Sequence, residues 1–317
     1  MELSIELYKK MFLIRKSEEM IQKYYMDDKM KTPMHMSMGS EALVVAVCHN
    51  LSDEDQIIGT YRSHAGYLAK TNDTDDFFAE MYGKDIAFIK GKGGSMHLTN
   101  PEKGHMGSSA IVASAMPCAT GLAFANKYLN NGKVVVSFFG EGAINEGNFW
   151  ESINVACVKK LPVVFVCENN DFAVHTHKSI LNGFKSITDI ISKFEIDVYE
   201  ENTTDVEKMY EISKKAIENT RNKLKPCFIN FHYYRYLEHV GINYDFDAGY
   251  RDESEYKKWL KKDPIKIQRD RLLTAGMGNE NIKKIESEIL KRIELSNKKA
   301  DEADLPNNNE FHVGVYS

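Results

Sequence analysis

The chain has 317 residues, of which 43% are hydrophobic, and a formal net charge of −5. That length suits one large domain or two small ones with a sizeable core, and net acidity gives no electrostatic case for a nucleic-acid partner. No run of about 18 apolar residues occurs, so no membrane-spanning helix is expected. The five cysteines (Cys48, Cys118, Cys157, Cys167 and Cys227) are odd in number and lack metal-type spacing, so they read as reduced thiols of a cytoplasmic protein.

The first 30 residues open with MELSIELYKKMFLIRKSEEM, an amphipathic helix with Leu3, Leu7, Met11 and Ile14 on one stripe. Charges run through it, and it has neither an apolar core nor a cleavage site, so it is not a signal peptide. Residues 1 to about 130 read as mostly helical, broken by glycine-rich loops, with one short strand at QIIGTY (56–61). From 134 to about 235, strands and helices alternate. VVVSFF (134–139), VVFVC (163–167) and CFINFHYY (227–234) are continuous apolar runs, the pattern of parallel strands buried on both faces. Helices are expected from about Asn145 to Lys159 and from about Asp205 to Lys223. The extension from 250 to 317 reads as polar helices, one of them started by Lys262-Asp263-Pro264, followed by the tail NNNEFHVGVYS. No internal repeat is present. The alternation predicts an α/β fold in a single domain, a doubly wound, mostly parallel sheet flanked by helices with a helical C-terminal extension.

In such a sheet ligands bind at the carboxyl ends of the strands. Two stretches fall there: Gly140–Ala143 after one strand and Glu168–Asn170 at the end of the next. If the strands are neighbours, the two stretches are adjacent. Glu168 could imitate the ribose-binding acid of a dinucleotide site, but the G-x-G-x-x-G fingerprint fails, with Asn145 at the third glycine position. GKGGS (91–95) lacks the spacing of a P-loop. The plain alternative is a packing turn and a strand ended by two asparagines. A different chemistry fits the end groups better. Mg²⁺ takes hard oxygen ligands, and Glu141 offers a carboxylate, Asn170 an amide oxygen and Phe172 a backbone carbonyl just beyond. Small residues at Gly142 and Ala143 would let backbone N–H groups reach a phosphate. That combination describes a metal-bridged diphosphate site.

The stretch from Gly140 to Asn170 resembles the thiamine diphosphate signature, a G-D-G turn followed about 30 residues later by N-N. In detail the chain resembles the alpha subunits of the 2-oxo acid dehydrogenase family, which act on pyruvate, branched-chain 2-oxo acids or acetoin. The motifs that carry the likeness are MHMSMGSEA (34–42), TYRSHA (60–65), GKGGSMH (91–97), GSSAIVASAMP (107–117), YRYLEHVG (234–241) with GYR (249–251), and the tail positions Phe311, Val315 and Tyr316. They occur in the family's order and span nearly the whole chain.

The resemblance implies thiamine diphosphate and Mg²⁺ as cofactors, with Glu141, Asn170 and the Phe172 carbonyl on the metal. It implies Gly140, Gly142, Ala143, Tyr61, Arg62 and His239 around the diphosphate, and Ala110 and Val112 against the aminopyrimidine ring. His35 would face the reacting carbon, and His239 would assist transfer of the acyl unit. It further implies oxidative decarboxylation of a 2-oxo acid such as pyruvate, or cleavage of acetoin, with transfer to a lipoyl-type acceptor. A separate beta subunit would complete the site in an α2β2 assembly, with a lipoyl-bearing acyltransferase as a further partner. A carboligase or sugar-modifying enzyme on the same scaffold, and a non-catalytic structural subunit, are the alternatives. Three departures stand out. Glu141 replaces the family's usual Asp and reaches roughly 1.5 Å farther. His239 is followed by Val240 rather than by a phosphorylatable serine. Ser109-Ala110 replaces the Asn-Gly common in pyruvate enzymes.

Overall fold

The structure is a computed structural model that describes residues 1–314; Val315 and Tyr316, two of the tail positions in the resemblance, lie outside the described residues. Six strands form one parallel sheet: β1 (Gln56–Thr60), β2 (His105–Ser109), β3 (Val135–Gly140), β4 (Val163–Asn169), β7 (Asp197–Glu201) and β8 (Cys227–His232). Their order is β2-β1-β3-β4-β8-β7. A small antiparallel hairpin, β5 (Phe172–Ala173) with β6 (Thr176–His177), stands apart beyond β4. The three apolar runs of the sequence are β3, β4 and β8, three of the four interior strands with neighbours on both sides.

Their continuous hydrophobicity follows from two cores. Val134, Val136 and Phe138 point to the side covered by α1 (Glu2–Tyr24), α2 (Glu41–Cys48), α3 (His64–Thr71), α4 (Thr74–Met81) and α9 (Val206–Lys223). Val135 and Phe139 point the other way, against α5 (Ala115–Leu129) and α6 (Gly147–Lys159). Alternate side chains on one strand thus serve opposite cores, and neither face is left polar.

The sequence reading missed β2 and β7, and both are the outermost strands. A strand at an edge is paired on one side only, so HMGSS and DVYEE are less buried and carry no apolar run. The expected helix start at Asn145 also needs correction. A single 3₁₀ turn, Glu141–Asn145, intervenes, and α6 begins at Gly147. Gly142 and Ala143 therefore belong to that turn rather than to an α-helical first turn. The strand predicted to run to Tyr234 ends at His232. The chain then turns away, held by a hydrogen bond from Tyr233 N–H to the Asn169 carbonyl.

Leu7, Met11 and Ile14 of α1 are fully buried in the first core, as the stripe requires. The short helices α7 (Lys178–Leu181) and α8 (Ile187–Ile191) lead from the hairpin toward β7. In the C-terminal region α10 (Glu253–Leu260) precedes α11 (Pro264–Thr274). Pro264 occupies the first turn of α11, and the Asp263 carboxylate accepts from Ile265 and Lys266 N–H, a side-chain cap. The last helix, α12 (Asn279–Glu302), packs on α1 and α4. No helix among the described residues is long and apolar enough to cross a membrane.

Candidate functional site

The chain leaves β1 to build β2 on one side of it, then returns to build β3 on the other. The strand order reverses at β1/β3, which opens a crevice at their carboxyl ends. Tyr61, Arg62, Gly140, Asn170, Phe172 and His239 line one cleft at this edge. Glu168, weighed above only as a ribose-binding acid, lines it too, as do Tyr233 and Arg235, to which the sequence reading gave no role in the site. Arg235 and Tyr233 could have been found as polar tips just past the end of an apolar strand, at the ligand-binding edge.

Arg62 organises the cleft. It is buried, and its Nη1 donates to the Met36 carbonyl at 2.8 Å while Nη2 donates to the His239 carbonyl at 2.9 Å. One guanidinium thereby ties together the loops that carry His35 and His239. A planar fork with several donors suits that task. The two loops also meet directly. Gly241 N–H donates to the Met34 carbonyl at 2.8 Å, and His35 and Gly241 form a β-bridge. The rings of His35, Tyr61 and His239 consequently cluster, with centroids 4.6 Å (His35–Tyr61), 5.5 Å (His35–His239) and 5.6 Å (Tyr61–His239) apart. Burial, followed by the Arg62 charge, holds the pKa of both His35 and His239 down to about 3. Both imidazoles are neutral at physiological pH, able to accept or donate a hydrogen bond at a reacting oxygen.

Arg235 ties down the segment that follows β8. Its Nη1 donates to the Leu237 carbonyl and its Nη2 to the Tyr250 hydroxyl, both at 2.9 Å. Tyr250 donates in turn to Asp245, and Arg251 Nε reaches the same carboxylate at 2.6 Å. The segment 235–251 is therefore closed on itself by charge-assisted hydrogen bonds.

Glu141 does not line that cleft; it is 3% exposed and borders a separate cavity with Ile144, Asn169 and Lys178. Its Oε2 accepts from the backbone N–H and the Nδ2 of Asn170, both at 3.1 Å, which brings the ends of β3 and β4 together. Its Oε1 has no hydrogen-bond partner. Burial pushes its pKa up to about 7, against the pull of the Asn170 N–H. A buried carboxylate with one oxygen free is an unfavourable arrangement unless a cation arrives, so the donor set fits a divalent metal. Among the described residues no group of three or more His, Cys, Asp or Glu could hold one. One carboxylate, one amide oxygen and the Phe172 carbonyl therefore suffice only with ligand oxygens added, as Mg²⁺ on a diphosphate would have. Gly142 is packed against the hairpin: a Cβ there would stand 2.8 Å from Ala173 Cβ. Asn169, the other half of the pair, is engaged elsewhere, donating to Asn230 Oδ1 at 3.2 Å.

The glycine-rich stretch 91–95 holds an anion as well, but an internal one. The buried carboxylate of Glu80, on α4, accepts from the N–H groups of Gly91 (2.9 Å), Gly93 (2.8 Å) and Gly94 (2.8 Å). The loop's donors are thereby consumed. Ala110 and Val112 sit apart from the cleft, on the loop after β2, with Val112 and its neighbour Ile111 exposed. His64 is fully buried and His97 is near the surface; neither lines the cleft.

A family model described as "Dehydrogenase E1 component" matches residues 8–309. Among curated proteins, the chain is 33% identical to the alpha subunit of acetoin:2,6-dichlorophenolindophenol oxidoreductase of Bacillus subtilis, across 99% of this chain and 94% of that one. It is 34% identical to the pyruvate dehydrogenase E1 component subunit alpha of Rhizobium meliloti, across 90% and 82% of the two chains. The Rickettsia bellii protein of the same name is 30% identical, across 98% and 95%.

Proposed function

Because the chain belongs to the dehydrogenase E1 component family, we propose that its cleft at the β1/β3 edge is the diphosphate and metal half of a shared active site. The protein is the alpha subunit of a thiamine diphosphate-dependent enzyme that uses a divalent metal and works with a beta subunit. The reaction is oxidative decarboxylation of a 2-oxo acid or cleavage of acetoin. When bound, the cofactor supplies the nucleophile and the electron sink for breaking the carbon–carbon bond.

This chain's own residues bind and orient. Glu141, Asn170 and the Phe172 carbonyl would hold the metal. Arg62, Tyr61 and His239, with the turn at Gly140, Gly142 and Ala143, would hold the diphosphate, and Ala110 and Val112 the aminopyrimidine. Neutral His35 and His239 stand where they can donate to, or accept from, a substrate or acceptor oxygen. The free Oε1 of buried Glu141 carries this reading.

The acceptor is a lipoyl group on an acyltransferase, and the assembly is α2β2. On the outer face of α5 and α6, Phe124, Tyr128, Leu129, Val155 and Val158 are exposed together, an apolar patch suited to a subunit contact. All five cysteines are unpaired, and the relatives cited above are bacterial, which supports a cytoplasmic setting. No nucleic acid or membrane partner is proposed.

The test is calorimetric titration of thiamine diphosphate into the chain purified with its beta subunit, with and without Mg²⁺. Turnover of pyruvate, branched-chain 2-oxo acids and acetoin is then compared. Metal-dependent binding, with turnover only when both subunits are present, is expected. Equal binding with and without metal overturns the Glu141 assignment, and full turnover by the isolated chain overturns the shared site.

A further inference from the structure

The buried stripe of α1 carries a carboxylate where apolar residues are expected. Glu18 is fully buried, as are His64 at the start of α3 and Ser95 in the glycine-rich loop. They form one array. Glu18 Oε1 lies 3.0 Å from His64 Nδ1, and His64 Nε2 lies 2.7 Å from Ser95 Oγ. A carboxylate oxygen accepts from Nδ1–H, which leaves Nε2 to accept the Ser95 hydroxyl proton. The order serine–histidine–acid is that of a nucleophilic triad. Nothing can reach it, because all three side chains are fully buried. Glu18 Oε1, the His64 ring and the Ser95 hydroxyl pair with one another inside the core while Glu18 Oε2 has no partner, and an array sealed from solvent has a structural output.

That output converges on one segment. Glu18 Oε1 also accepts from the Ser37 N–H at 2.5 Å. Ser95 N–H donates to Thr32 Oγ1 at 3.1 Å. Thr32 and Ser37 bracket His35 on its two sides. The glycine loop reaches Thr32 only because position 94 has no side chain: a Cβ on Gly94 would stand 2.9 Å from Thr32 Cβ. Between the two anchors, the Met36 carbonyl is held by Arg62 and the Met34 carbonyl by Gly241.

We propose that the Glu18–His64–Ser95 array positions His35: one buried hydrogen-bonded unit fixes both ends of the His35 segment and so sets where its ring stands beside Tyr61 and His239. This rests on His35 acting in the reaction, as proposed above. His64 and Ser95 are positioning residues, remote from substrate. A displacement of about 1 Å at a reacting group costs on the order of 100-fold in rate, so a remote array can govern turnover without touching the cofactor.

The experiment uses the chain assembled with its beta subunit. Ser95→Ala, which keeps the backbone donor to Thr32 but cuts the link to His64, is expected to lower kcat on the order of tenfold. The thiamine diphosphate Kd by calorimetry should stay within about twofold, as for an independent site. His64→Leu is expected to lower kcat further, on the order of 100-fold. His64→Gln, whose amide supplies both a donor and an acceptor, should recover most of that loss. In a His35→Ala background, Ser95→Ala should lower kcat no further, because the group it positions is gone.

A full kcat in Ser95→Ala, or a Ser95→Ala loss that persists undiminished in His35→Ala, overturns the proposal. If His64→Leu does not fold, Ser95→Ala and the double variant decide. An unchanged kcat in His35→Ala removes His35 from the reaction and takes this proposal with it, while leaving metal-dependent cofactor binding intact. Loss of that binding in the wild-type complex would instead condemn the cofactor reading itself.

Discussion

Two glycine-rich turns, Gly91–Ser95 and Gly140–Ala143, each sit against a buried carboxylate. In the first, Glu80 accepts three backbone N–H bonds from the turn beside it. In the second, Glu141 accepts two bonds from Asn170 and keeps one oxygen free. Burial raises the pKa of both acids. The difference is whether the chain itself completes the shell. Where it does, the turn is a strut that carries Ser95 to the array under His35. Where it does not, the remaining valence is left for something from outside. A glycine run by itself distinguishes neither case; the count of satisfied oxygens does.

The largest expected effect falls on the closed shell. Glu80→Ala leaves three N–H groups without an acceptor, that of Gly94 buried and those of Gly91 and Gly93 part-buried, and a buried donor costs about 1–3 kcal/mol when unsatisfied. We expect a stability loss of roughly 3–5 kcal/mol in denaturant unfolding. A change under 1 kcal/mol would mean that water replaces the carboxylate, and the contrast between the turns would collapse.

The open shell should show itself through pH in the protein stripped of metal by a chelator. The folded-state pKa of Glu141, about 7, lies above its ordinary 4.5. The folded state then binds more protons than the unfolded chain across that interval. The group's relative contribution is fully present below about 4.5 and is lost as pH rises through about 7, to a limit of roughly 3 kcal/mol. Glu141→Gln should flatten that decline in the pH profile of thermal unfolding. If the profiles of wild type and variant are parallel from pH 4.5 to 7, Glu141 does not titrate there.

Next comes binding. Glu141→Ala should weaken thiamine diphosphate binding in Mg²⁺ on the order of 100-fold, comparable to the upper end of losses at metal-site residues, with little loss of stability. The opposite pattern, normal binding in a destabilised protein, would make Glu141 a second Glu80.

The smallest effect is steric. Gly142→Ala puts a Cβ 2.8 Å from Ala173 Cβ, so the hairpin that carries Phe172 must move. An approximately tenfold weaker metal-dependent cofactor affinity is expected, at the lower end of losses from disturbed metal-site support. Unchanged affinity would show that the Phe172 carbonyl is not a ligand.

The sequence alone determined the fold class, because strands buried on both faces must be apolar throughout. β3, β4 and β8 announce themselves in that way, and the helices between them follow from their period and caps. It also located the ligand edge, since Gly140–Ala143 and Glu168–Asn170 end adjacent strands. The edge strands β2 and β7 were illegible for the converse reason: paired on one side only, they need no apolar run. Tertiary structure alone decided which glycine turn was already full, because Glu80 is eleven or more positions before its donors and nothing local links them. It alone gathered Glu18, His64 and Ser95 under His35, and Arg62 between the His35 and His239 loops. Such contacts join segments tens to nearly two hundred residues apart, and local propensity and periodicity carry no information over those separations. Their geometry exists only once the two cores have packed against the sheet.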